Sequence, residues 1–182
     1  TGDEEGIAIN GTKKVVKYLQ KKKEKIDFCL VGEPTNPEKL GEMIKIGRRG
    51  SITGHLSVHG TQGHVAYPHR ANNPSDCIVR ILKKLKEIKF DRGTKNFQPT
   101  NLEITRININ NNVDNVIPKS AFASFNIRFN NKHTSISLKK KINKIISTLS
   151  KKDKCKFNIE YMVSGESFLT KPNRTTYMIK NI

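Results

Sequence analysis

The sequence predicts an α/β protein in which a small domain of order β-α-β-β-α-β is inserted into a different α/β unit. Three observations support this fold class. Residues 51–60 alternate apolar and polar side chains, as a strand with one buried face does. Two later segments carry apolar residues at helical spacing, and strand-like runs separate and follow them. The short segments before residue 51 and after residue 163 do not continue this order.

The elements follow in chain order. The N-terminal piece is predicted to contain an amphipathic helix and two short strands, at 11–25, 27–31 and 43–46. The second strand is expected to end in the turn Gly47-Arg48-Arg49-Gly50. The inserted domain is predicted to have four strands, at 51–60, 102–109, 121–129 and 156–163, and two helices, at 74–87 and 137–150. This order is the ferredoxin-like one. We therefore expect three segments: 1–50, 51–163 and 164–182.

Composition excludes several classes of protein. The 182 residues are 35% apolar and 27% charged, which is typical of a globular chain. No uncharged apolar run approaches the ~18 residues of a membrane span, and no signal peptide is recognisable. The three cysteines form no CxxC pair and no even disulfide framework. We therefore predict a cytoplasmic protein with reduced thiols, and no membrane association.

The net charge of +18 permits a second interpretation. Such a charge occurs in nucleic-acid-binding proteins, and lysine runs lie at 21–23 and 139–141. However, the excess is mostly lysine, it is spread along the whole chain, and no aromatic ladder accompanies it. We predict no nucleic-acid partner, and keep a basic nucleic-acid-binding α/β module as the alternative from another functional class.

Acidic residues are the first candidates for chemistry. Glu4 and Glu5 form a pair, and Glu33 lies in Gly-Glu-Pro-Thr, in each case where a strand is expected to end. Carboxylates at two strand ends can converge on a cation such as zinc, and an unligated one can accept a proton from water. The alternative is a solvated acidic turn together with a Glu-Pro loop.

Basic side chains are the second set of candidates. His64 lies in a loop without helix or strand pattern, where it could be a ligand, an oxyanion donor or a surface residue. Arg48 and Arg49 lie in a turn, where paired arginines are usually solvated. Arg128 lies within an alternating strand near an Asn-rich loop, which makes it a better candidate for binding an anion.

Six stretches together resemble a known family. They are TGDEEGIAINGT (1–12), VGEPTNPEKLGEMIKIGRRGS (31–51), GTQGHVAYPHRANNP (60–74), NVIP (115–118) with FNIRF (125–129), and SGESFLT (164–170). The chain is similar to the dinuclear-zinc deacylase and carboxypeptidase superfamily and, within it, to the succinyl-diaminopimelate desuccinylases. This resemblance implies a partial zinc-peptidase-like catalytic domain that carries an inserted lid and dimerisation domain.

The resemblance assigns roles residue by residue. Glu4 matches the general base that activates the attacking water, and Glu5 and Glu33 match ligands of two Zn²⁺ or Co²⁺ ions per intact subunit. His64 matches a lid histidine that stabilises the oxyanion in the partner subunit's site. The positions that match substrate-binding residues are Arg48, Asn115, Arg128, Ser164 and Gly165.

The implied activity is hydrolysis of N-succinyl-LL-2,6-diaminopimelate, a small dicarboxylate amide, to succinate and LL-2,6-diaminopimelate in lysine biosynthesis. An acetylornithine deacetylase or aminoacylase activity is the alternative within the superfamily. The family's other metal ligands have no match in these residues, so we expect a fragment that is inactive alone. We expect a homodimer through the lid, with helix 74–87 and the strand ending near Gly60 at the contact.

Overall fold

The computed structural model describes residues 9–27, 29, 31–32, 36–39, 41–171, 173 and 177. The chain forms two compact units, Thr1–Met43 and Ile44–Ile182. The described part of the first unit contains helix α1 (Thr12–Lys21), which has no buried residue. The chain leaves this helix through Lys23, whose φ of 58° lies in the left-handed region. Helix 11–25 is therefore confirmed, with an earlier end than predicted.

The second unit holds the remaining described elements. Its helices are α2 (Pro74–Lys86) and α3 (Ser135–Lys152), and a short 3₁₀ turn spans Pro68–Arg70. Its strands are β1 (Gly47–Arg48), β2 (Gly50–His59), β3 (Gly63–His64), β4 (Asn101–Asn108), β5 (Val116–Ile117), β6 (Ser120–Phe129), β7 (Lys156–Gly165) and β8 (Phe168–Leu169).

The main sheet has four antiparallel strands in the order β4-β6-β2-β7. Together with α2 and α3, this order gives the predicted ferredoxin-like arrangement, so the inserted β-α-β-β-α-β fold is confirmed. Two further pairs, β1 with β8 and β3 with β5, each contain two residues per strand. The predicted boundaries at residues 50 and 163 stay a prediction.

Both helices cover one face of this sheet. The apolar positions of β2 and β6 alternate with polar ones, and the buried set joins the apolar stripes of α2 and α3 in one core. Its largest fully buried side chains are Phe125, Phe129, Ile52, Leu56, Ile78, Ile81, Leu85, Ile127, Leu138, Ile142 and Ile146. Local signals define the helix starts, since Asn73 accepts from the Ser75 N–H and a capping box joins Thr134 to Ser137.

A buried carboxylate anchors the segment between α2 and β4. The Asp91 side chain is 6% exposed and accepts hydrogen bonds from Gly93 N–H at 2.6 Å and Asn130 Nδ2 at 2.8 Å. It also contacts the Thr100 N–H and, at 3.1 Å, His133 Nε2. Burial opposes ionisation of Asp91, but the hydrogen bonds from Thr100, Gly93 and Asn130 outweigh it and hold the pKa of this carboxyl well below its usual range.

The short elements differ from the sequence-based prediction. The prediction of a strand at 43–46 is wrong. The chain becomes a strand only at Gly47–Arg48, within the predicted turn, where it pairs with β8. The two predicted loops 61–69 and 110–118 contain β3 and β5, which pair with each other. Strand 27–31 lies partly outside the described residues, and its described members are not in a strand.

The expected dimer contact also needs correction. Strand β2 lies between β6 and β7, so its backbone groups are already paired on both sides. A central strand has no free edge to offer a second copy. Among the described strands of this sheet, β4 and β7 form the edges, so the strand ending near Gly60 was the wrong candidate.

Candidate functional site

The predicted metal and base positions cannot be placed. Glu4, Glu5 and Glu33 lie outside the described residues. Within the described part of the chain, no group of three or more His, Cys, Asp or Glu side chains is arranged to hold a metal ion. The described residues therefore do not form a metal centre among themselves.

Four of the predicted substrate-binding residues meet at one end of the main sheet. We call Arg48, Arg128, Ser164 and Gly165 the arginine cluster. In the strand register, Ser51 of β2 pairs with Arg128 on one side and with Gly165 on the other. Since neighbouring strands lie about 4.8 Å apart, the backbones of Arg128 and Gly165 are about 10 Å apart.

Arg48 belongs to the same end because it touches Gly165. A Cβ built on Gly165 would overlap the Arg48 guanidinium, so the absence of a side chain at residue 165 makes room for this arginine. Arg48 itself lies on β1, opposite Phe168 of β8. The site is therefore assembled from segments more than a hundred residues apart in the chain.

Ser164 occupies an irregular position in β7. Ser51 pairs with Gly165 and Ile52 with Val163, so Ser164 is the extra residue of a β-bulge. A bulge turns a side chain out of the regular alternation and is common beside functional sites. The sequence did not reveal this bulge, because nothing in SGESFLT distinguishes it from a regular strand end.

The two adjacent arginines have different surroundings. The Arg49 guanidinium donates to Asn101 Oδ1 at 3.0 Å and to the Pro99 carbonyl at 3.4 Å, which ties the start of β2 to β4. Outside the backbone ladders, the guanidinium groups of Arg48 and Arg128 have no hydrogen-bond or ion-pair partner among the described residues. The structure thus assigns a structural contact to Arg49, whereas no described residue forms such a contact with the guanidinium group of Arg48 or Arg128.

His64 and Asn115 meet at the opposite end of the sheet. His64 lies in β3 and pairs with Val116, while the Val65 N–H donates to the Asn115 carbonyl at 3.0 Å. The Ala66 N–H donates to His64 Nδ1 at 3.1 Å. Because Nδ1 is the acceptor, the neutral ring carries its proton on Nε2, and the exposed ring can donate from that atom.

The length of β2 separates these two groups of residues. The arginine cluster lies beside Ser51 and the β3 end lies beside His59. At about 3.4 Å per residue in an antiparallel strand, these two residues are about 27 Å apart. No side chain is long enough to bridge this distance. A single site that uses both His64 and the arginine cluster would therefore need two copies of the chain.

This fold and these residues match a known domain family. The family model described as the peptidase dimerisation domain matches residues 46–154, and the chain belongs to this family. The family description points to pairing of two copies through this domain. Within the described residues, no helix is both long and apolar enough to cross a membrane.

The most informative relatives are desuccinylases. The chain is 74% identical, over all 182 residues, to the succinyl-diaminopimelate desuccinylase of Pelagibacter ubique, and covers 47% of that protein. It is 50% identical over 179 residues, 98% of its length, to the Parvibaculum lavamentivorans enzyme of the same name, of which it covers 45%. The resemblance recognised in the motifs is therefore confirmed. The chain spans about half the length of the curated relatives it matches.

Solved structures support the fold alone. A putative aminohydrolase from methicillin-resistant Staphylococcus aureus has a TM-score of 0.62 at 20% identity, over 73% of this chain and 34% of that one. A tripeptidase from the same species has a TM-score of 0.63 at 12% identity, over 75% of this chain and 35% of that one. Together with the match to the peptidase dimerisation domain, these likenesses confirm the predicted fold class.

Proposed function

We propose that this chain provides the dimerisation lid and part of the catalytic domain of a cytoplasmic homodimer that hydrolyses N-succinyl-LL-2,6-diaminopimelate. The products are succinate and LL-2,6-diaminopimelate. Residues 51–163 form the lid, and 1–50 and 164–182 belong to the catalytic domain. The observation that carries this proposal is the 74% identity to a desuccinylase along the whole chain.

The arginine cluster supports a substrate with several carboxylates. Arg48 and Arg128 present guanidinium groups that have no partner among the described residues, and a guanidinium binds a carboxylate through two parallel hydrogen bonds. Gly165 leaves room for Arg48, and the bulge turns Ser164 out of the strand. In the proposed function, these groups bind carboxylates of the substrate. Asn115 lies next to His64, at the opposite end of the sheet, so in this proposal the partner subunit's lid supplies it.

The proposed role of His64 is in the partner's site. Because the arginine cluster and the end next to His64 are separated by about 27 Å along β2, a second subunit supplies the histidine in this proposal. Its Nε2–H can donate to the oxyanion that develops when the amide carbonyl is attacked. Removing one such donor costs about 2.7–4 kcal/mol of transition-state stabilisation.

The family and the desuccinylase relatives imply a divalent metal, and our proposal specifies two zinc or cobalt ions per subunit. Bound zinc polarises a carbonyl and lowers the pKa of water. Glu5 and Glu33 are the ligands that we propose from this chain, and Glu4 is the proposed base that accepts a proton from the attacking water. The described residues form no metal centre among themselves, so these assignments rest on the resemblance.

A chimera tests the proposed activity. This chain replaces the matching segment of the Pelagibacter ubique desuccinylase, and hydrolysis of N-succinyl-LL-2,6-diaminopimelate and of acetylornithine is measured side by side. We expect the succinyl substrate to be hydrolysed with a kcat/KM at least tenfold higher. Preference for acetylornithine would support the deacetylase alternative, and a folded, metal-loaded chimera that hydrolyses neither would overturn the proposal.

Mixing two inactive variants tests the shared site. We expect His64→Ala and Glu4→Gln chimeras to be inactive as separate homodimers. After subunit exchange, the heterodimer has one site with an intact Glu4 and a His64 supplied by the partner. Random pairing in a two-fold dimer should restore roughly a quarter of the wild-type activity. No recovery, with exchange verified by mass, would show that His64 does not act across the dimer.

A further inference from the structure

Glu166 connects the arginine cluster to the start of helix α3. It follows Gly165 directly, in the turn between β7 and β8. Both of its carboxylate oxygens accept from the Ser135 N–H, at 3.1 and 3.3 Å. Ser135 is the first residue of α3 and is buried, and a carboxylate at this position also complements the positive end of the helix dipole.

The turn that Glu166 fixes holds Arg48 on two sides. Gly165, just before Glu166, lies against the Arg48 guanidinium. Phe168, two residues after Glu166, pairs with Arg48 across the β1–β8 ladder. This ladder has only two residues per strand and one flanking hydrogen bond, from the Thr170 N–H to the Ile46 carbonyl at 2.7 Å.

So short a ladder contributes little stability by itself. Two-residue strands contribute few hydrogen bonds, and Arg48 and Phe168 are both exposed. The contact of Glu166 with α3 ties the turn to an 18-residue helix whose apolar face belongs to the core. The carboxylate is also occupied by the helix, and no ion pair between Glu166 and Arg48 is present among the described contacts.

We propose that Glu166 is a positioning residue: by binding the N-terminus of α3, it holds Arg48 where that arginine can bind a substrate carboxylate. This inference rests on the proposed function for the identity of the anion. It differs from a simple capping role, in which Glu166 would stabilise α3 and leave substrate binding unaffected.

The chain contains a matched control for capping. Thr134, the residue immediately before α3, caps the same helix by accepting from the Ser137 N–H at 3.2 Å. It is not part of the β7–β8 turn. Thr134→Ala and Glu166→Ala should therefore both weaken the helix start, whereas only Glu166→Ala should release the turn. Glu166→Gln keeps a side-chain oxygen that can accept from Ser135.

Hydrogen exchange on the 182-residue chain tests the positioning itself. We expect Glu166→Ala to speed amide exchange at least tenfold in the β1 and β8 peptides, and Thr134→Ala and Glu166→Gln to leave these peptides within threefold of the wild type. This readout does not depend on enzymatic activity. Unchanged exchange in Glu166→Ala, or equal acceleration in Thr134→Ala, would overturn the inference even if the proposed function is correct.

Kinetics of the chimera test the effect on substrate binding. We expect Glu166→Ala to raise KM about fivefold with kcat within twofold, because a binding contact is lost that the ground and transition states share. Glu166→Gln should keep KM close to that of the wild-type chimera. In an Arg48→Ala background, Glu166→Ala should have no further effect on KM. An equal effect in both backgrounds would show that Glu166 does not act through Arg48, whereas an inactive wild-type chimera would count against the proposed function alone.

Discussion

Replacing the buried carboxylate of Asp91 by an amide should strongly destabilise the fold. Asp91→Asn keeps the shape of the side chain but removes its negative charge and one of its two acceptor oxygens. The carboxylate accepts from Gly93, Thr100, Asn130 and His133. Hydrogen bonds to a charged group are worth about 1.5–3 kcal/mol each, and the Asn oxygen can still accept some of them. The amide group of the Asn would face the remaining donors, and each buried donor left unsatisfied costs about 1–3 kcal/mol, so two such donors give an expected loss of about 2–6 kcal/mol at pH 7.

The cost of Asp91→Asn should depend on pH in a defined direction. The folded-state pKa of Asp91 is lowered, whereas the unfolded chain has an ordinary value of about 3.9. The carboxylate therefore contributes its full stabilisation above about pH 5 and loses it as the pH falls towards the folded-state pKa. Between pH 5 and pH 3, the wild type should lose about 1 kcal/mol of this contribution, and the difference between wild type and variant should shrink by that amount.

The assay is denaturant unfolding of the 182-residue chain, followed by far-ultraviolet circular dichroism because the sequence has no tryptophan. Glu103→Gln is the matched control, since Glu103 forms an ion pair with Lys86 at 2.6 Å but its side chain is 62% exposed. This control should have a much smaller effect. The reasoning is refuted if Asp91→Asn costs no more than Glu103→Gln at pH 7, or if its cost is the same at pH 3 and pH 7.

Three further predictions concern thiols, the central strand and the paired arginines. The cysteines are Cys29, Cys77 and Cys155, of which only the first is exposed. Burial raises the pKa of the Cys77 thiol to about 12, so a thiol reagent at pH 8 should modify one cysteine in the native chain and three in denaturant. Gly54→Ala should lower the free energy of unfolding by about 1–3 kcal/mol, because its methyl group would overlap the buried Phe125 ring, and a normal denaturation midpoint would contradict this. Arg49→Lys should lower the thermal midpoint, because it breaks the contact with Asn101. Arg48→Lys should leave the thermal midpoint unchanged and raise KM in the chimera. Equal midpoints for the two variants would contradict this difference.

Local patterns in the sequence predict the regular elements and the residue types of the candidate site. The strands β2 and β6 and the helices α2 and α3 were predicted because alternation of period two and stripes at helical spacing are local properties of the chain. The positions of the acids, His64 and Arg128 relative to these elements make them candidates for the site. These predictions needed no knowledge of which strands become neighbours.

Features that depend on pairing between distant segments come from the folded chain alone. The ladder of β1 with β8 joins Gly47 to Leu169, and two residues are too few to show periodicity, so no local pattern announced it. Contacts between distant segments also distinguish the two arginines: Arg49 donates to Asn101, whereas Arg48 lies against Gly165. The register of β2 with its two neighbours decides that the arginine cluster and the β3–β5 pair lie at opposite ends of β2, about 27 Å apart along that strand. A strand's place in a sheet is set by its neighbours, which is why only the folded chain contains this information.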